Sequence, residues 1–80
     1  MAGPPPGYNR LSGQLLSDGN LRLSFVGNAG ANYALDRSFT LTPPTWLPQA
    51  TNTADGGGVL TFTNHPDLTT NNFWRVRSVP

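Results

Sequence analysis

The sequence contains no lysine, no glutamate and no cysteine. Lysine and glutamate are common on exposed helices, so their absence, beside abundant Thr, Asn, Gly and Pro, favours a pleated, half-buried β structure. The chain has no thiol for a disulfide, and a single His with no Cys does not make a structural zinc site. We therefore expect a fold that rests on hydrophobic packing alone.

Charged residues are also few, with five Arg, four Asp and a net charge of +1. This charge is too small for the phosphate-tracking surface of a nucleic-acid-binding protein. No apolar run reaches the roughly 18 residues that a membrane span needs, and the first seven residues lack the basic start and apolar segment of a signal peptide. We expect neither a nucleic-acid partner nor a membrane partner.

Eighty residues correspond to one small domain. Residues 1–10 are rich in Pro and Gly and are interpreted as a linker remnant, so the module itself is residues 11–80. The strongest local signal is Asp18-Gly19, which separates two strand-like runs and predicts a hairpin with a type I′ turn. In the second run Leu21, Leu23 and Phe25 alternate with polar residues, which predicts a half-buried strand.

Four more short strands are predicted further along the chain. One begins near Tyr33, one covers residues 46–51 and is limited to a sheet edge by its proline, and one covers residues 59–63. In the last strand, residues 73–79, we place Trp74, Val76 and Ser78 towards the core, because burying the two arginines on the other face would be costly without paired acids. Six short strands at this spacing predict an all-β, antiparallel sandwich.

Few residues in the chain are suited to catalysis. His65 precedes Pro66-Asp67, but no Ser or Cys nucleophile with an orienting group accompanies it. The four Asp are scattered, and two of them precede Gly as in turns rather than forming an opposed acid pair. The Gly-rich segments lack the following helix and Lys of a phosphate loop. We expect no enzyme and no cofactor.

A structural calcium ion is the alternative to a fold without a metal. The oxygen-bearing candidates for it are Asp18, Asn20, Asp55 and Asp67.

Residues 20–80 resemble small immunoglobulin-like or fibronectin-type-III-like modules that are appended to secreted bacterial proteins, including polysaccharide-degrading enzymes. The pattern is a Tyr-x-Leu strand, a Ser and a Leu leading to a Trp, a Phe-containing strand and a final aromatic-Arg-Val run. Two departures are Phe39, where a small polar residue is expected, and Trp74, where Tyr is more usual. The matching residues are Tyr33, Leu35, Ser38, Leu41, Trp46, Phe62, Trp74, Arg75 and Val76.

The resemblance implies a secreted, non-catalytic carbohydrate-binding module that attaches a catalytic domain to a polysaccharide, with β-glucan or cellulose preferred. Sugar rings stack on aromatic side chains, and their hydroxyls bond to Arg, Asp and Asn. The alternative is a structural spacer or protein-interaction domain in which the large aromatics are packed inside. The candidate carbohydrate-binding residues are Trp46, Trp74, Phe39, Phe73, Tyr8 and Arg75.

Overall fold

The computed structural model describes residues 6–80. Within that range it contains six strands and no helix, so no helix there could cross a membrane. The predicted linker remnant lies partly outside the described residues. The strands are β1 (Leu11–Leu15), β2 (Leu21–Val26), β3 (Asn32–Ser38), β4 (Leu47–Thr53), β5 (Val59–Asn64) and β6 (Phe73–Val79).

The strands form two antiparallel sheets of three, with the orders β1-β2-β5 and β4-β3-β6. The sheets are stacked. The rings of Phe25 in β2 and Tyr33 in β3 have centroids 5.1 Å apart, and the Asn52 amide of β4 donates to the Thr61 carbonyl of β5 at 2.6 Å. The predicted all-β sandwich of about six antiparallel strands is confirmed.

The core lies between the sheets, where alternate residues of β2, β3 and β5 meet. The alternation that was predicted for the second and fifth strands places apolar side chains on one side of each strand. Gly13 of β1 lies opposite Leu23, so the first strand adds little to this core, and Leu15 at its end is 66% exposed. The buried core residues are Leu23, Phe25, Tyr33, Leu35, Ala54, Leu60 and Phe62.

The predicted hairpin between β1 and β2 is present, but the predicted type I′ turn is wrong. Gly19 has φ of 87°, whereas Asp18 does not have a positive φ, and a type I′ turn needs positive φ at both central residues. The Gly19 amide donates to the Leu16 carbonyl at 3.0 Å, and the Leu16 amide donates to the Asn20 carbonyl at 2.8 Å. This is a three-residue loop, in which a tight turn is followed by a left-handed glycine.

The fourth strand lies at a sheet edge, as predicted from its proline. Pro48 has no N–H to donate, and β4 pairs on one side only, with β3. A register shift at Leu35/Asp36 leaves Gln49 unpaired in β4, which is a bulge. The strand begins one residue later than predicted and continues to Thr53.

The last strand matches its predicted bounds, and its two faces are as predicted. Trp74 and Val76 pack against the core, and Ser78 lies on the same face, opposite Tyr33, but is exposed. Arg75 and Arg77 point to the other side of the sheet, as expected from the cost of burying them. They also have a paired acid, Asp36, which the sequence reasoning did not identify.

Candidate functional site

The side of the β4-β3-β6 sheet that is turned away from the other sheet is called the outer face here. Strand register fixes which residues share it, because directly opposite residues in adjacent strands point to the same side. Arg75 lies opposite Asp36, Arg77 opposite Ala34, and Phe73 opposite Ser38. These three β3 residues are all buried although they point away from the core. Something other than the second sheet must therefore cover them.

Asp36 is covered by the two arginines. Its side chain is 1% exposed, and its Oδ2 accepts from Arg75 Nε at 2.9 Å and from Arg77 Nε at 2.8 Å. Burial raises the pKa of Asp36, but the hydrogen bonds and charges of Arg77 and Arg75 outweigh this effect and hold the pKa below its ordinary value. The carboxylate is thus ionised at neutral pH, and it fixes both arginine side chains on the outer face.

Trp46 joins this cluster from the loop before β4. The Arg75 guanidinium carbon lies 4.5 Å from the centroid of the Trp46 ring, which is cation–π geometry. Arg37 pairs with Leu47, so Trp46 comes one step beyond the end of the ladder, level with Ser38. By extension of the register, Trp46 at the end of the loop, Ser38 in β3 and Phe73 in β6 form a row, and the contact of Arg75 with Trp46 places Arg75 beside it.

Ser38 holds the loop that carries Trp46. Its hydroxyl, in a side chain with no exposed surface, accepts from the Thr45 amide at 3.0 Å and from the Thr40 amide at 3.2 Å, and it donates to the Thr40 carbonyl at 2.6 Å. The loop contains a cis Thr42–Pro43 peptide. The buried Ser38 hydroxyl thus bonds to both ends of the loop of residues 39–45. These bonds hold Trp46, the next residue, at the sheet edge.

Of the six predicted site residues, the structure brings three together on the outer face: Trp46, Phe73 and Arg75. Both rings are half-buried rather than fully exposed. Sequence reasoning missed Arg77 and Asp36, which complete the cluster. The only sequence signal for this cluster was that Arg75 and Arg77 share one face of the last strand. That pattern does not indicate which strand supplies the acid.

The other three predicted residues lie elsewhere. Trp74 points into the sandwich, where its Nε1 is buried and has no hydrogen-bond partner within residues 6–80. Phe39 is half-buried with its ring 4.9 Å from the guanidinium carbon of Arg37, on the side of β3 opposite to Asp36. Tyr8 is 42% exposed and donates to Asn28 Oδ1 at 3.1 Å, in the loop between β2 and β3, which precedes the opposite end of β3 from Ser38.

The remaining carboxylates of the described chain are used in turns. Asp18 accepts from the Asn20 amide, Asp55 accepts from two amides of its loop, and Asp67 accepts from the amide and hydroxyl of Thr69. The Thr69 bonds lower the pKa of Asp67 below its ordinary value. No group of three or more His, Cys, Asp or Glu side chains that could hold a metal ion lies together in residues 6–80.

His65 is likewise part of a loop contact. Its Nδ1 lies 2.9 Å from Asn20 Oδ1, and its carbonyl accepts from Arg37 Nη1 at 2.8 Å. The Asn64 side chain accepts from the same Arg37 nitrogen at 2.7 Å. His65 therefore lies at the end of β5 near the hairpin turn, apart from the outer-face cluster.

No protein-family model, curated protein or solved structure matches this chain.

Proposed function

We propose that this chain is a non-catalytic carbohydrate-binding module of a secreted protein and that it binds polysaccharide on the outer face. The observation that carries the proposal is the row of Trp46, Ser38 and Phe73 with Arg75 beside it. Two aromatic rings are held on either side of a small, buried residue, and a rigid donor group is fixed next to them.

This arrangement suits a sugar chain on chemical grounds. The C–H faces of a pyranose ring stack on aromatic rings, and its hydroxyls accept hydrogen bonds from a guanidinium. The Trp46 ring is carried by the loop before β4, which Ser38 holds, and the Phe73 ring is carried by β6, so both rings are fixed to the sheet. A preorganised face loses less conformational entropy when it binds.

A non-catalytic role is supported by how the carboxylates are used. Asp36 is ion-paired with two arginines, and the other three Asp side chains accept hydrogen bonds within their own loops. A glycoside hydrolase needs two carboxylates facing each other across a sugar. The module would instead hold an attached catalytic domain on its polysaccharide, for which β-glucan or cellulose is the expectation from sequence, and would raise its effective concentration there.

The alternative function is a spacer or protein-interaction domain. Two observations favour it: Trp74 is packed inside, and one face of the Trp46 ring is already covered by Arg75. A chain with this function would bind no sugar.

Affinity electrophoresis in gels that contain soluble polysaccharides distinguishes the two functions. The panel includes β-glucan, xylan, mannan and polyuronate. We expect retardation of the wild type by at least one polysaccharide, and Trp46→Ala to weaken the binding about three- to tenfold because it removes one stacking ring. Leu68→Ala is the matched control, since Leu68 is 84% exposed in the loop before β6. Wild-type migration that no polysaccharide changes would establish the spacer function instead.

A further inference from the structure

We propose that Arg75 and Arg77 form a binding site for a carboxylate and that the polysaccharide recognised on the outer face is therefore a polyuronate. The inference rests on the proposed function and replaces the ligand expected from sequence, a neutral β-glucan, with an acidic sugar chain. Three features of the arginine pair carry it: its anchoring, its unbalanced charge and its unused donors.

The pair is anchored by one oxygen. Both Nε atoms donate to Asp36 Oδ2, at 2.9 and 2.8 Å, so they are separated by no more than the sum of these two bonds. Trp46 supports the Arg75 guanidinium from one side. Arginine side chains normally lose considerable rotamer entropy when they bind a ligand. Arg75 and Arg77 are already ordered in the folded protein, so they lose less entropy on binding.

The charge of the cluster is not balanced. Two guanidinium groups carry two positive charges, and Asp36 carries one negative charge. The other residues that register places on the outer face are uncharged: Trp46, Pro48, Thr51, Thr53, Asn32, Ala34, Ser38, Phe73 and Val79. One excess positive charge therefore remains on this face, and one carboxylate from a ligand would neutralise it.

The donors that point away from Asp36 are unused. Within residues 6–80, the side chains of Arg75 and Arg77 make hydrogen bonds through Nε alone, and they are 46% and 42% exposed. Their Nη groups are left for a ligand. A guanidinium presents its N–H groups in a planar fork that matches the two oxygens of a carboxylate.

A uronate combines the two groups that this face accommodates. Its carboxylate would bind the Nη groups of Arg75 and Arg77, while its pyranose ring lies against the neighbouring aromatic row. A structural role for the pair would need only one arginine to neutralise Asp36. The second arginine, Arg77, is therefore the residue on which the test is made.

The experiment measures binding of trigalacturonate by isothermal titration calorimetry, with the fully methyl-esterified trimer as the uncharged match. We expect the wild type to bind the free acid at least about tenfold tighter than the ester, and the affinity to fall as NaCl rises from about 50 to about 500 mM. Arg77→Gln should remove most of this preference, and Arg77→Lys, which keeps the charge without the fork, should restore part of it.

Arg22→Gln is the matched control because it removes the same charge from an exposed position of β2, in the other sheet. It should leave the affinity within about twofold of the wild type. Equal loss in Arg22→Gln and Arg77→Gln would overturn the proposed site in favour of nonspecific attraction. Equal binding of acid and ester, or tighter binding of β-glucan, would also overturn the carboxylate site while leaving polysaccharide binding intact. Absence of binding to every polysaccharide would overturn both proposals.

Discussion

At the scale of single residues, Asp36 shows how a buried carboxylate is stabilised in its ionised form in a domain with a small core. A buried carboxylate is costly unless it is paired and hydrogen-bonded. Asp36 Oδ2 has two arginine donors, whereas Oδ1 is buried without a partner within residues 6–80. The favourable bonds are thus concentrated on one oxygen, and the net effect is a pKa below the ordinary value.

This pKa has a consequence for acid stability. A carboxylate whose folded pKa is depressed stabilises the fold above its unfolded pKa, and the contribution is lost as the pH falls through the folded pKa. For Asp36 the loss begins below about pH 4, the ordinary range of Asp. Asp67 has a lowered pKa as well and contributes in the same direction.

Asp36→Asn should lower the free energy of unfolding by about 1–3 kcal/mol at pH 7, because two charge-assisted hydrogen bonds are weakened at a buried position. It should also reduce the loss of stability between pH 7 and pH 3, since one of the two depressed carboxyl groups is gone. Urea unfolding at the two pH values measures both effects. The control is Asp18→Asn in the exposed hairpin loop. An unchanged acid dependence in Asp36→Asn would contradict the role assigned to this carboxyl group.

The residue scale is also where sequence reasoning succeeded and failed for distinct physical reasons. It placed Trp74 and Val76 inside correctly, because alternation and the cost of burying arginine both act within one strand. It missed the Asp36 pairing because that contact joins β3 to β6 across about 40 positions of the chain. Sequence reasoning assigned no acidic partner to Arg75 and Arg77, because the strand order was not known.

At the scale of elements, the loop between β3 and β4 is what brings Trp46 to the outer face. Its backbone hydrogen bonds depend on the Ser38 hydroxyl, which is buried and bonded at both ends of the segment. Pro43 and Pro44 remove two further donors from this loop. A single side chain therefore supplies the acceptor for the Thr40 and Thr45 amides.

Ser38→Ala should lower the free energy of unfolding by about 1–3 kcal/mol, because two partly buried amides lose their acceptor. The same change should weaken polysaccharide binding, since Trp46 is no longer held in its row. Unfolding by denaturant and affinity electrophoresis measure the two effects. Ser12→Ala, at an exposed position of β1, serves as the control and should change neither. Stability and binding equal to the wild type in Ser38→Ala would show that the loop is held in another way.

The elements also show what local sequence signals determine. The Asp18-Gly19 pair located the hairpin correctly, because turn residues and alternating strands occur next to each other in the chain. It did not determine the turn type, since only Gly19 adopts positive φ and Asp18 does not. Pro48 predicted an edge strand correctly because the missing donor excludes a central position.

At the scale of the whole molecule, the fold class followed from sequence while the site did not. Alternation and turn spacing predicted six strands, and the structure contains six within residues 6–80. The site depends on which strands become neighbours, and the order β4-β3-β6 is a property of the assembled sandwich. This order brings Trp46, Phe73 and Arg75 together, whereas Phe39 lies against Arg37 on the other side of β3 and Tyr8 bonds to Asn28.

The whole-molecule arrangement assigns the two tryptophans to opposite sides of one sheet. Trp46 lies with Arg75 on the outer face, and Trp74 packs against the core. Their indole N–H groups therefore report separately on the outer face and on the interior. Spectra that resolve both signals provide the most direct test of where a ligand binds.

The measurement is a titration of the ¹⁵N-labelled chain with the tightest-binding oligosaccharide, followed by two-dimensional ¹H–¹⁵N NMR. We predict that the Trp46 indole signal and the Nε–H signals of Arg75 and Arg77 shift with one common dissociation constant, while the Trp74 indole signal stays in place. Shifts of the Trp74 indole signal or of the Tyr8 or Phe39 backbone amide signals, without shifts of the Trp46 indole and the two arginine Nε–H signals, would contradict binding on the outer face.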